Sequence, residues 1–239
     1  MRTYGQYCPI ARASEILAER WTPIILRNLL LGSTTFGEIA DGAPGLSRSL
    51  LTTRLRELER AGVVEITPAP KGRGHLYRPT EAGRDLAGVM AAMGTWGERW
   101  IELAPEHLDP GMVLHSWCHW YLERDRLPHH RVVAEFRFPD LPKKGGTLWL
   151  LFDGERSEVC QKHPGFEIDV YVEARSRALA EWHLGRIEWS DGLRDGTIVV
   201  TGPSGLAKAL PTWNRRSAAA RTRSDSAPGP RSSRTVTSA

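Results

Sequence analysis

Between Arg48 and Arg60, six polar side chains fall on one side of a helical repeat. At about 100° per residue, with Arg48 at zero, Thr52, Arg56, Ser49, Arg60 and Thr53 lie between roughly 40° and 140°. Leu51, Leu55 and Leu58 lie together at about 280–340°. One face therefore carries three arginines and three hydroxyls, and the opposite face is a narrow apolar stripe. A guanidinium can take guanine O6 and N7 in a fork, and Ser or Thr can reach bases or phosphates. A face meant only for water would more often interleave glutamates, and only Glu59 sits at this edge. Ser47, just before the run, has the side chain of an N-cap. A second basic group, Lys71, Arg73 and His75, stands among glycines in the stretch from Pro68 to His75. Glycines let a backbone approach a groove or its phosphates closely.

The remaining reactive side chains form no comparable set. Cys8 precedes a helix start with Arg12 one turn on, a setting in which a thiolate can form. Packing at a helix start explains the same cysteine. His115, Cys118 and His119 share part of a helix face. Zinc would need further ligands, with Cys160 or His163 as candidates if the fold brought them near, and an aromatic helix with incidental histidines explains the run as well. Asp169 lies in an apolar run, where a buried carboxylate needs a partner, with Arg186 a candidate. No nucleophile–base set, glycine-rich phosphate loop or complete metal set is visible, so the sequence reads as a non-enzyme without a cofactor.

The elements that must position the arginine face follow from periodicity and punctuation. Ile10, Ala13, Ile16 and Leu17 repeat at helical spacing. Thr22-Pro23 opens a second helix that Gly32 stops. A short helical segment, Thr35 to Ala40, ends at Asp41-Gly42, Pro44-Gly45 make a turn, and the helix after Ser47 runs to Ala61-Gly62. Strand-like runs at 63–66 and 75–78 flank the basic loop, and Thr80 with Glu81 opens a long helix through Leu103. Helix, turn, polar-faced helix and hairpin in that order describe a winged helix-turn-helix. After a linker at 104–111 come a helix from about Met112 to Arg124 and strands at 131–138, 147–152, 157–161 and 167–172. A helix at 176–184, a strand at 197–201 and a helical stretch at 203–213 complete the second unit. The fold class is α+β, with two units at 1–104 and 110–213 and a tail at 214–239.

Length and charge bound the rest. The chain has 239 residues, enough for one or two domains. Its net charge of +4 divides into +2 for residues 1–104, −3 for 105–213 and +5 for 214–239. Bulk positive charge therefore does not make this a protein that coats nucleic acid; a local basic face is a separate matter. The tail is rich in Ser, Arg, Ala and Pro without periodicity, and reads as disordered. Three cysteines are too few for a disulfide framework and suit a reducing cytoplasm. The most apolar stretch, Pro23 to Leu31, is short and contains Arg27, so neither a membrane span nor a signal peptide is expected.

With these residues in view, the first unit resembles the HxlR-type regulators, winged-helix transcription factors near the MarR group. The matching stretches are Tyr7 to Ala13, Arg20 to Arg27, Phe36 to Ile39, Pro44 to Ser47, Leu51 to Glu59 and Tyr77 to Gly83. The resemblance implies a homodimer built by the N-terminal and long C-terminal helices. It places the helix at about 47–61 in the major groove of a double-stranded operator and the wing at 68–75 on the flanking groove. Ser47, Arg48, Ser49, Thr52, Thr53, Arg56, Arg60, Lys71, Arg73 and His75 become the DNA-binding candidates, and Cys8 a redox candidate.

The second unit is similar to sterol-carrier-like domains in the stretches Trp149 to Phe152, Glu158 to Cys160, Pro164 to Val170, Trp182 to Arg186 and Gly196 to Gly202. That likeness implies a sheet with helices around a cavity for an apolar effector. Six of the nine tryptophans lie in this unit, where they either line such a pocket or fill the core. The expected function is sequence-specific transcriptional regulation, controlled by that effector or by Cys8 oxidation. The alternative is a carrier or sensor of apolar ligands whose DNA binding is secondary.

Overall fold

The computed structural model describes residues 3–70, 72, 74–142, 145–154 and 156–216. The first unit comprises α1 (Pro9–Leu17), α2 (Thr22–Leu30), α3 (Phe36–Asp41), α4 (Arg48–Arg60), β1 (Val64–Pro68), β2 (His75–Pro79) and α5 (Glu81–Trp100). Local chemistry sets the element starts. Thr35 and Glu38 cap α3 reciprocally, Thr35 Oγ1 accepting from Glu38 N at 3.3 Å and Glu38 Oε2 from Thr35 N at 3.0 Å. Ser47 Oγ accepts from Leu50 N at 3.3 Å and opens α4. Thr80 Oγ1 accepts from Gly83 N and donates to the Gly62 carbonyl, tying the start of α5 to the end of α4. Gly83 must be glycine, because a Cβ there would stand 2.2 Å from the Val63 carbonyl. The strands pair antiparallel, Ile66 opposite Tyr77, and Thr35 bridges to Leu76. Ile25, Leu26, Leu29, Ile39, Leu51, Leu55, Leu58, Val64 and Tyr77 form the core.

The second unit contains α6 (Pro110–His119), β3 (Val132–Arg137), β4 (Thr147–Asp153), β5 (Arg156–Cys160), β6 (Val170–Ala174), α7 (Ser176–His183), α8 (Trp189–Asp195), β7 (Ile198–Thr201) and α9 (Ser204–Ala209). Its sheet runs in the order β5-β4-β3-β6-β7, with β3 and β6 parallel and the other pairs antiparallel. Phe136, Leu150, Phe152, Val170, Val172 and Ile198 are buried from one face of the sheet, together with residues of α6, α7 and α8. The alternate positions Tyr171, Glu173, Val199 and Thr201 are exposed.

Several expectations change here. The strand expected at 167–172 begins at Val170, because Gly165 takes a φ of +84° and Asp169 turns its carboxylate onto the Val133 amide at 2.8 Å. Asp169 thus caps a neighbouring strand and does not meet Arg186, which pairs with Glu98 at 2.7 Å. The helix expected to Arg124 ends at His119. The helix α8 was not anticipated. The tail starts later than 214: Asn214 is buried, Arg215 N donates to the Tyr121 carbonyl, and Arg216 pairs with Glu188. The rest of the tail, 217–239, lies outside the described residues.

Candidate nucleic-acid interface

Helix α4 is seated by Leu51, Leu55 and Leu58, each at most 2% exposed, so its other side must face outward. On that side Ser47, Arg48, Ser49, Thr53, Arg56 and Arg60 are exposed and Thr52 is half-buried. Thr52 Oγ1 donates to the Arg48 carbonyl at 2.9 Å and Thr53 Oγ1 to the Ser49 carbonyl at 3.1 Å. Their hydroxyl protons are spent on the helix, which leaves lone pairs to accept from an amine or a base. Arg48 lies over the Phe36 ring at 4.9 Å, fixing its stem against α3. Arg56 and Arg60 form no ion pair among the described residues. Arg54, off this face, is nearly buried and bonds Glu57 at 2.6 Å and Glu19 at 2.7 Å, so it braces α4 against the α1–α2 connection. Nothing in the local sequence signals this bracing role, because Glu19 lies 35 positions from Arg54.

His75 is exposed at the start of β2, opposite Pro68. Gly72 and Gly74 have φ of +114° and +132°, conformations that favour glycine. Lys71 and Arg73 lie outside the described residues. Cys8 is half-buried just before Pro9, with its carbonyl accepting from Arg12 N. Burial pushes the Cys118 and Cys160 thiols above their ordinary value, disfavouring the reactive thiolate at both.

In the second unit, His115 and His119 stack at 4.3 Å, and burial, His119 and Arg27 lower His115 to about 4. Among the described residues no three His, Cys, Asp or Glu side chains gather as a metal site would require. Ser116, His183 and Asn214 form a buried line, Ser116 Oγ lying 2.9 Å from His183 Nε2 and Asn214 Nδ2 3.1 Å from His183 Nδ1. It resembles a nucleophile–base pair, but its protons run the wrong way. Asn214 Oδ1 accepts from Arg216 N at 2.7 Å, so its amide nitrogen faces His183 and donates to Nδ1. The ring proton then sits on Nε2 and points at Ser116, which accepts instead of being deprotonated. The line is a clasp for the segment 214–216.

A helix-turn-helix followed by a β-hairpin, with arginines exposed on its second helix, defines a winged-helix unit built for DNA. The HxlR-like helix-turn-helix family matches residues 16–105. YvaP of Bacillus subtilis, described as an uncharacterised HTH-type transcriptional regulator, is 37% identical over 107 residues, covering 44% of this chain and 97% of that protein. The HTH-type transcriptional regulator YodB of the same organism is 33% identical over 97 residues, covering 40% and 87%. The reduced form of YodB is similar in structure at TM-score 0.36 and 31% identity, over 41% of this chain and 99% of that one. The chain belongs to the HxlR-like helix-turn-helix family of DNA-binding transcriptional regulators. No described helix is long and apolar enough to cross a membrane.

Proposed function

We propose that the chain is a homodimeric, sequence-specific regulator whose helix α4 reads the major groove of an operator. The observation that carries this reading is the outward face of α4, where Arg48, Arg56 and Arg60 stand exposed beside Ser49 and Thr53. The wing, with Lys71, Arg73 and His75, adds backbone contacts in the flanking groove. The dimer reading rests on α5 and the N-terminal segment. Val89, Met93, Trp96 and Trp100 on α5 are 43–65% exposed, and Tyr7 and Ile10 are 95% and 77% exposed. Large apolar side chains exposed at helical spacing along one helix are what a partner would cover. Two copies would set their reading helices about 34 Å apart, one turn of duplex.

In vitro selection from randomised duplexes tests the proposal: an inverted repeat with half-sites about 10 base pairs apart should be enriched. Arg56→Ala should then lose about 1–3 kcal/mol of operator affinity and relax the preference at one base pair. If no motif is enriched above input, the reading fails.

A second reading gives control to residues 110–213 as a sterol-carrier-like unit that takes an apolar effector. Where helices meet sheet, aromatics fill the space: Trp182 packs on Trp117 at 5.2 Å and on Trp189 at 4.7 Å, and Phe152 on Trp213 at 5.3 Å. Two shallow surface depressions share Tyr171, one lined by Arg137, Glu173, Val199 and Thr201 on the exposed side of the sheet and the other by His163, Phe166 and Glu167. In this reading the effector meets that outer surface, beside Tyr171 and Phe166. Titrating fatty acids or sterols while following operator affinity tests it; unchanged affinity throughout removes the reading. The carrier alternative gains if such ligands bind and no operator is found. Cys8 is retained as the redox candidate, tested by diamide treatment of the chain and of Cys8→Ser.

A further inference from the structure

The joint between the two units falls on the turn that leads into α4. Trp120, just after α6, is 7% exposed, and its benzo edge fills the space beside Gly42 at the end of α3. A Cβ on Gly42 would come within 2.9 Å of Trp120 Cζ2 and 2.6 Å of Asn28 Nδ2. Gly42 has a φ of −78°, which any residue adopts, so glycine is needed there for room alone. Arg27 closes the other side. Its guanidinium lies over the Trp120 ring at 4.8 Å, and Nη2 donates to the Gly42 carbonyl at 2.7 Å and to Asn28 Oδ1 at 2.9 Å. Gly42 is thus gripped twice, at its Cα by a ring of the second unit and at its carbonyl by a guanidinium that the same ring covers.

Trp120 is itself fixed. Arg215 Nη2 donates to its carbonyl at 3.1 Å, and Arg215 N donates to the Tyr121 carbonyl at 2.8 Å. The clasp of Ser116, His183 and Asn214 anchors that terminal segment to the core. Contacts therefore run without a gap from the middle of the second unit to residues 42–47, the turn that aims α4. Two other ties between the units, Arg186 to Glu98 and Arg177 to the Leu103 carbonyl, land on α5 and the segment after it.

We infer that Trp120 is a positioning residue for DNA reading: through it the second unit holds the 42–47 turn and sets how α4 is presented. The inference rests on α4 being the reading helix. A guanidinium over a desolvated indole is a favourable contact, and it forms only when both units are seated. Any change in the second unit that moves Trp120 would loosen the turn without touching the arginine face. That assigns the second unit a task in the family's established activity, beyond the region shared with its relatives.

The test uses the full chain and two measurements. In the first, amide hydrogen exchange without DNA compares Trp120→Ala, Trp120→Phe and Arg186→Met with the wild type. The turn amides of Gly42, Ala43 and Leu46, which bond to Glu38, Ala40 and Ala43 carbonyls, should exchange at least about ten-fold faster in Trp120→Ala. Trp120→Phe, too short to fill the space at Gly42, should speed them several-fold while the β1–β2 amides keep their rate. Arg186→Met should leave the turn unchanged. In the second, affinity for the selected operator should fall about ten-fold in Trp120→Ala with the salt dependence preserved, because no phosphate contact is lost. Wild-type turn exchange in both Trp120 variants overturns the inference. So does operator affinity within two-fold of wild type, or a flattened salt dependence, which would place Trp120 on the DNA itself. If Trp120→Ala does not fold, Trp120→Phe decides by the same criteria. The exchange arm needs no operator, so failure of selection counts against the reading of α4 and not against the joint.

Discussion

The two units solve the same problem of burial with different side chains. The first packs aliphatics, Ile25, Leu26, Leu29, Leu51, Leu55 and Leu58, along helix stripes and leaves one helix face polar and exposed. The second packs Trp117, Trp182, Trp189, Trp213, Phe136 and Phe152 between sheet and helices and buries a histidine among them. Aliphatic stripes need only the right period and tolerate repacking, whereas edge-to-face aromatics fix orientation as well as volume. The first unit can therefore devote an exposed face to a partner, while the second is organised as a rigid support.

The strongest way to break that contrast is a cavity in the aromatic core. Trp182→Ala should cost about 3–5 kcal/mol. Scanning calorimetry should show the loss in the unit that holds Trp182, with the aliphatic unit shifting less. Equal shifts in both would mean that the units unfold as one.

Acid should separate the units next. His183 is buried and held at about 4 against an ordinary value of 6.5, chiefly by burial. The unfolded chain binds that proton first, so the histidine's stabilising contribution is complete above about pH 6.5 and is lost as pH falls through about 4. The loss approaches about 3 kcal/mol. Urea midpoints from pH 7.5 to 4 should fall in wild type and fall less steeply in His183→Gln, with His115, also lowered to about 4, supplying part of the remaining slope; parallel slopes would exclude His183 as a source.

The smallest effect sharpens the boundary of the second unit. Ending the chain after Arg216 removes the remaining basic tail but keeps the clasp. Non-specific DNA affinity at low salt should drop a few-fold while operator preference stays the same. A cut after Trp213 should in addition lower the melting temperature, since His183 loses Asn214. Identical melting of the two truncations would show the clasp to be inert.

Much of the first unit was legible in the sequence because its determinants are local. The Leu51, Leu55 and Leu58 stripe, the Ser47 cap and the Thr80 cap lie within a few residues of what they organise. The second unit was less so. Gly165 to Asp169 carries strand-like apolar residues, yet Asp169 reaches across to the Val133 amide, a partner 36 positions away. Helix α8 is seven residues long with Gly192 inside it, kept because a Cβ there would strike Ile198. Arg54 and Glu19, 35 positions apart, and Trp120 and Gly42 meet only in three dimensions. Composition and period do not encode such pairings.

The clasp at Asn214 has a consequence in time. A ribosome delivers Ser116 and His183 well before Asn214, and Gly42 long before Trp120. The first unit can fold as it emerges, but its turn meets Trp120 later, and the segment that fixes Trp120, residues 214–216, arrives later still. The joint is thus completed only when the second unit is whole, so a nascent or shortened chain would present its arginines before Trp120 holds the turn ahead of them.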